Sequence, residues 1–388
     1  MAGAWLVAAD RQGAHNWDTA TGQRTALAAV DALAALSQMS GPGGGRWPPA
    51  DPTRVVYAGH SMGGHGAWVL ATTEPDRALG VVVGAGWLSK EKYGDANQMW
   101  NHDISTTYID PAVAALLDGT VIENDAGRHA GNLAGLPVLV RVGEVDGNVP
   151  PYWSRRMGRL LQEAEQAADG GADRGGLVAY QELKGKDHWW WDTNAENDGG
   201  VNNDPAVRQF LADLIQGGAG SHPPLPDSYE ISSHNPATMP GGRGVRLLQL
   251  ARPFTAAGKV KVKSWGPTSE HCLIKDKGGG SQPNSIVLRT SNLRRFQLRP
   301  APGGWGHGQC WGAERRVSVV VDGSAPFELA VADLFHPATT FRRAITAGGG
   351  GSGGSGSSAE QCALTGWSVE RVAVDGERQA GQAVRLSR

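Results

Sequence analysis

Cysteine is scarce in this chain. Cys272, Cys310 and Cys362 are the only three in 388 residues, and all lie in the C-terminal part. An odd number leaves at least one thiol unpaired within the chain, so the cysteines neither form a disulfide framework nor reveal the compartment. Long apolar runs are missing too: none approaches the roughly 18 residues of a membrane-spanning helix, so no membrane partner is expected. The opening segment MAGAWLVAADRQG has a short apolar part and no basic leader, and it does not read as a secretory signal. Charge of one sign is not in excess. Against 36 Lys and Arg stand 38 Asp and Glu, a net charge of -2, which supplies no global field for nucleic acid or anionic lipid. No His, Cys or carboxylate cluster has metal-ligand spacing and no G-x-x-x-x-G-K loop is present, so neither a metal nor another cofactor is implied.

What is present is enough apolar material, 40% of residues, for more than one core in a chain of this length. From residue 1 to about 220, short apolar runs alternate with helix-period segments, the pattern of a parallel sheet covered by helices. The expected strands are Trp5–Ala9, Arg54–Ala58, Gly80–Gly84, Pro137–Val142 and Leu177–Leu183. Leu27, Val30, Leu33 and Leu36 recur at helical spacing and form a stripe that could cover the sheet. Asp204-Pro205 reads as an N-cap and first-turn proline before Val207, Phe210, Leu211, Leu214 and Ile215, with Gly217 and Gly218 as the stop. The stretch 87–133 breaks this rhythm and is expected to be an insertion over the active-site end of the sheet.

After the turn-rich run from Ser221, alternating or β-branched runs at 245–250, 260–262, 285–289, 294–298, 317–321 and 327–331 predict a C-terminal all-β accessory domain over 225–388. One or two more strands are expected in 367–386, and the Gly/Ser-rich run 347–358 reads as a flexible loop or linker. Trp265, Trp305 and Trp311 are core candidates there, with a carbohydrate- or polymer-binding face as the alternative.

The most informative segment is RVVYAGHSMGGHGAW, in which an apolar strand runs into Gly59-His60-Ser61-Met62-Gly63 and then into helix-compatible sequence. In that strand-turn-helix setting G-x-S-x-G is a nucleophile elbow, which exposes the Ser61 hydroxyl and aims the backbone N–H of Met62 at a developing oxyanion. Glycines are expected because the sharp turn brings backbones together, and Gly64 and Gly66 allow close helix packing. His60 and His65 flank the elbow and read as packing or polar supports. A serine hydroxyl needs a histidine to take its proton and an acid to orient that histidine. In the order Ser, acid, His, the run PVLVRVGEVDGNVPP offers Asp146 at a loop tip, with Glu144 as its rival, and LVAYQELKGKDHWWWDT offers His188 past the last strand. Trp189, Trp190 and Trp191 could wall a substrate pocket, but packing is expected for at least two of them.

Taken together, GHSMGGHGAW, VGEVDGNVPPYWSRRM and DHWWWDT resemble the catalytic domain of the prolyl oligopeptidase serine peptidase family, over about residues 1–217. That resemblance implies an α/β-hydrolase fold with Ser61 as nucleophile, His188 as general acid–base and Asp146 as its orienting partner. It also implies a peptide or, in related branches, an ester substrate. The alternatives are a carboxylesterase, including a polyester or feruloyl-ester type, and a non-catalytic fragment or binding module. In the α/β-hydrolase fold five strands normally precede the elbow, whereas two candidates precede Ser61 here. The parallel sheet is therefore expected to lack its first strands, including the one whose following loop supplies a second oxyanion donor. A truncated product, a segment of a longer protein, or another chain supplying the strands would each account for this.

Overall fold

Val55–His60 (VVYAGH), Ala78–Gly84 (ALGVVVG), Val138–Gly143 (VLVRVG) and Val178–Leu183 (VAYQEL) are short runs rich in β-branched and apolar residues, and they form strands β1 to β4. In the computed structural model they pair in the order β1-β2-β3-β4, all parallel. The structure describes residues 4–9, 16–39, 45–89, 110–168, 176–190, 200–216, 222–254, 256–265, 284–303, 316–346, 363–371 and 384–385. β2 and β3 are buried along their whole lengths, as expected of inner strands with both faces covered.

One face of the sheet packs its Val81, Val83, Val138 and Val140 against α1 (Ala20–Ser37), α2 (Met62–Thr73) and, beyond α3 (Pro111–Ile122), α4 (Tyr152–Ala168), where Trp68, Met157 and Leu161 are buried. The other face is smaller: Val82 and Leu139 meet Val207, Phe210 and Leu211 of α5 (Pro205–Gln216). Asp204 starts α5 as anticipated, its carboxylate accepting the Val207 N–H at 3.0 Å while it also pairs with the buried Arg141 of β3. Gly217 and Gly218, proposed as its stop, lie outside the described residues.

Two expectations are corrected. Trp5–Ala9 is not a strand: Leu6 is 92% exposed, and Trp5 instead donates its indole N–H to the Pro48 carbonyl and rests edge-on against Trp47. A strand needs a neighbour to take its N–H and C=O groups, and among the described residues none pairs with this segment or with the outer side of β1. The leucine stripe of α1 is likewise not its tightest face, since Gly22, Gln23, Ala26, Ala34 and Ser37 are buried while Leu36 is 58% exposed. Small side chains let the helix approach closely, and that outweighs the bulkier stripe.

Of the stretch 87–133, expected to cover the active-site end of the sheet, residues 90–109 lie outside the described residues; the rest holds α3 and a 3₁₀ segment, Ala126–Leu133, whose Ala126, His129, Ala130 and Leu133 are buried. This segment lies between α2 and α4 on the way from β2 to β3, sends Ala126, Ala130 and Leu133 into the core of the parallel sheet, and borders a second core. That core lies between two sheets: β15-β14-β13-β10-β7-β6, and β12-β11-β9-β8-β5. The strands are β5 (Ser228–Ser233), β6 (Gly241–Gly242), β7 (Val245–Leu250), β8 (Gly258–Trp265), β9 (Asn284–Ser291), β10 (Leu293–Leu298), β11 (Arg316–Val321), β12 (Phe327–Ala330), β13 (Thr339–Thr346), β14 (Ala363–Arg371) and β15 (Val384–Arg385). Alternate residues point inward: Val260, Val262, Ile286, Leu288, Val317 and Val319 from one sheet meet Leu247, Phe296, Phe341 and Trp367 from the other. Phe296 and Phe341, partners across β10 and β13, stack at 4.9 Å. Trp265 closes β8, whereas Trp305, Trp311, the three cysteines and the run 347–358 lie outside the described residues.

The two cores meet across buried polar groups. Asn132 donates to the carbonyls of Thr72 and Ser232 and accepts from the Ser232 N–H, at 2.9, 3.1 and 2.9 Å. His129 Nδ1 bonds Ser232 Oγ at 2.9 Å, and its Nε2 faces His234 Nδ1 at 3.3 Å. Burial first, then the repulsion that a proton on His129 would meet from His234, Arg128 and Lys259, pulls His129 down from 6.5 to about 3. Burial with Arg128 and Lys259 brings His234 to about 4. A histidine whose folded value is depressed leaves the unfolded chain as the better proton acceptor between the two values, so stability is complete above pH 6.5 and is lost as pH falls. Urea midpoints are therefore expected to fall from pH 7 to pH 4.5. His129→Gln should flatten that slope while costing about 1–3 kcal/mol at pH 7 for the disturbed hydrogen bonds. Equal slopes in the two proteins would contradict the assignment.

Candidate active site

Because the four strands run parallel, their C-terminal ends lie along one rim, where open α/β sheets place ligands. Ser61 follows β1, Asp146 follows β3 and His188 follows β4. The turn at Ser61 is forced: φ is 57° and ψ is -119°, a backbone conformation that L-residues rarely adopt. Its N–H donates to the Gly84 carbonyl at 2.8 Å, and its own carbonyl accepts the His65 N–H at 3.0 Å, starting α2 at once. A Cβ on Gly59 would come within 2.1 Å of the Gly63 carbonyl oxygen, and one on Gly64 within 2.9 Å of Gly86 Cα. On Gly66 it would strike the Trp17 indole at 2.5 Å. Gly63 differs, with nothing within 4 Å of its added Cβ. The close approach thus demands the first glycine of the motif and not the second.

At this rim Ser61 Oγ donates to His188 Nε2 across 2.9 Å, and His188 Nδ1 donates to Asp146 Oδ2 across 2.8 Å. The other carboxylate oxygen, Oδ1, accepts the N–H groups of Asn148 and Val149 at 2.9 and 2.8 Å. Asp146 and His188 are each 4% exposed, so the carboxylate is desolvated but fully hydrogen-bonded. The structure thus brings all three predicted side chains together, with Met62 as the first residue of α2 beside them. Glu144, the rival acid, points elsewhere and accepts the Gly185 N–H at 2.8 Å, bracing the turn that leads to His188. Gly143 lets this turn come close, since a Cβ there would lie 2.1 Å from the Asp187 carbonyl oxygen.

Strand, strained serine, helix, then acid loop and histidine loop in chain order complete the pattern. This is the α/β-hydrolase fold. It is followed in the same chain by the two-sheet β region.

The two flanking histidines are supports with distinct partners. His60 donates from Nε2 to the His188 carbonyl at 2.9 Å, and its ring lies 4.6 Å from the His188 ring. Burial, then repulsion from His188, holds it down at about 4, so near neutral pH it stays uncharged beside the His188 ring. His65 is 1% exposed, stacks on Trp87 at 5.1 Å, and bonds the Trp87 carbonyl and Asp18 Oδ1 at 3.1 and 3.0 Å. Through these two bonds α2 is tied to the segment Asn16–Asp18. Of the three tryptophans, Trp190 is 3% exposed beneath the Arg141 guanidinium, Trp189 is 60% exposed, and Trp191 lies outside the described residues. The local pattern marks His60 as a support and Glu144 as a rival acid but shows neither their partners nor the steric role of Gly143, because those contacts span about 40 to 130 positions of the chain. Among the described residues no three His, Cys, Asp or Glu side chains gather as a metal site, and no helix is long and apolar enough to cross a membrane.

No family model matches this chain. An uncharacterized secreted protein of Arthroderma benhamiae is 26% identical over 249 residues, covering 63% of this chain and 22% of its own length. The chain therefore spans less than a quarter of that relative. Among solved structures, a puromycin-hydrolyzing peptidase of Mycobacterium tuberculosis is 23% identical, with a TM-score of 0.33, over 52% of this chain and 25% of its own. A monoacylglycerol lipase of Paleococcus ferrophilus is 19% identical, with a TM-score of 0.30, over 50% of this chain and 76% of its own. The acylaminoacyl peptidase of Pyrococcus horikoshii is 16% identical, with a TM-score of 0.34, over 52% and 29%. At such scores these likenesses carry no argument, and the fold rests on the strand order, the elbow and the loop order described above.

The steric contrast within the motif makes a prediction. Gly59→Ala should destabilise the protein by about 3 kcal/mol or more, because backbone rather than a side chain blocks the new methyl group. Gly63→Ala, inside α2 with open space, should lie within about 1 kcal/mol of the parent. Chemical denaturation of the two variants measures the difference, and equal losses would show that the elbow does not have this geometry.

Proposed function

We propose that this protein is a serine hydrolase working through an acyl-enzyme, of the prolyl oligopeptidase-like serine peptidase type. The observation that carries the proposal is the unbroken chain Asp146–His188–Ser61, closed by hydrogen bonds of 2.8 and 2.9 Å at the tip of a strained elbow. In that role the Ser61 hydroxyl gives its proton to His188 Nε2 as Oγ bonds the substrate carbonyl carbon. The Asp146 carboxylate, bonded to Nδ1, stabilises the imidazolium and holds its tautomer. The Met62 N–H, at the start of α2, would meet the oxyanion. His188 then protonates the leaving group, and a water activated by the same histidine releases the acid.

The Asp146-Gly-Asn-Val-Pro150 loop resembles the acid loop of the peptidase family and favours a peptide bond as the substrate. A carboxylesterase would use the same constellation, and comparing peptide anilides with short acyl esters separates the two. A strand supplied on the outer side of β1 by another chain belongs to the same proposal.

The test is a fluorophosphonate probe, which needs a working nucleophile and little specificity, with the adduct located by peptide mass mapping. An adduct on Ser61 is expected, absent in Ser61→Ala and slowed by about 10³–10⁴-fold in His188→Ala and Asp146→Asn. A folded protein that takes up no probe, or takes it up equally after Ser61→Ala, would overturn the proposal.

A further inference from the structure

Trp189 is the residue directly after His188, and it is 60% exposed, whereas Trp190 beside it is 3% exposed. Its indole is nevertheless held in place. It meets the His188 ring edge-on, centroids 5.1 Å apart at 82°, and lies 4.5 Å from the His60 ring. The backbone N–H of Trp189 donates to Asp187 Oδ1 at 3.0 Å, which fixes the main chain from which the indole projects. A second exposed apolar side chain, Val145 at 59%, precedes Asp146 and donates its N–H at 2.9 Å to the Lys186 carbonyl, on the same loop as His188. A large apolar surface fixed against a functional group and left in water is poised to be covered by something else.

The direction of proton transfer says what covers it. When the acyl carbon leaves its original partner atom, the bonding pair goes with that atom, and the proton taken from Ser61 is returned to it by His188 Nε2. The leaving atom must then come within about 3 Å of Nε2, and its substituents lie beside the imidazole. The indole stands at that ring. Resting on the serine hydrolase proposal, we infer that Trp189 is a specificity-determining residue on the leaving-group side, selecting substrates whose leaving group carries an aromatic or other flat apolar group.

Two phosphonate probes with one common phosphonyl group, one losing fluoride and one losing 4-nitrophenoxide, test this on the whole chain. In each case the Ser61 Oγ–P bond forms as the bond to the leaving group breaks, and only the second leaving group can reach an indole. The readout is the ratio of the two labelling rates at Ser61. In Trp189→Ala the aryl-to-fluoride ratio should fall about tenfold relative to the parent, and Trp189→Phe should keep most of it. An unchanged ratio, including a parallel loss of both rates, would mean that Trp189 only supports the loop and would overturn the inference. So would a parent that reacts with the fluoride probe and not with the aryl probe. Absence of any Ser61 adduct in the parent with the fluoride probe would instead bring down the hydrolase proposal itself, and the inference with it.

Discussion

The backbone of Ser61 is the constraint on which the rest of the site depends. Its φ of 57° costs on the order of 1–3 kcal/mol, and it persists because three contacts leave no alternative. The Ser61 N–H is engaged by Gly84 at the end of the next strand, its carbonyl starts α2, and Gly59 sits against the Gly63 carbonyl with no room for a side chain. Relaxing the turn would carry the hydroxyl into the first turn of the helix, away from His188. The parallel register of β1 with β2 and of β2 with β3 is what brings Gly84 and the acid loop to the same rim as the elbow. Sheet pairing and chemistry are therefore one arrangement.

Charge at the rim is managed by enclosing it. Asp146 is buried without becoming an orphan, because two backbone N–H groups and one imidazole N–H share its oxygens. His60 does the complementary work: buried and uncharged near neutral pH, it holds the His188 carbonyl without placing a positive charge next to the His188 ring. The same device recurs at the junction of the two cores, where His129 and His234 sit neutral among Ser232, Asn132 and nearby cations. There Arg243, 2% exposed, donates its N–H to Asp76 and a guanidinium N–H to the Ala134 carbonyl. These paired groups make the β region a fixed neighbour of the hydrolase core, since separating it would expose apolar surface and break several buried hydrogen bonds.

The local pattern of the chain was enough to locate β1 to β4, the start of α5, most strands of the β region, and Ser61, Asp146 and His188 as the residues that meet. Each of these is a short-range signal: β-branched runs, a proline after an N-cap, glycines at a turn, an acid at a loop tip. Three strands escaped that reading, the two-residue β6 and two longer ones. β5 (SYEISS) is surrounded by prolines and serines that read as loop, although Tyr229 and Ile231 alternate inward, and β13 carries two arginines among its apolar residues. Both are strands because neighbouring strands take their hydrogen bonds. Trp5–Ala9 fails in the opposite sense, with strand-forming residues but no neighbour among the described residues.

By itself, then, the sequence determined which segments could form strands, where the chain must turn sharply, and which side chains have the chemistry for acyl transfer, because those properties belong to a residue and its nearest neighbours. Only the tertiary structure decided that Asp146 and not Glu144 holds His188, that Gly59 and not Gly63 is sterically required, and that of two adjacent tryptophans one is buried and the other faces solvent beside His188. The first and third outcomes depend on loops packed together from distant parts of the chain, and the second on the backbone angles of a turn whose residue types alone leave its geometry open.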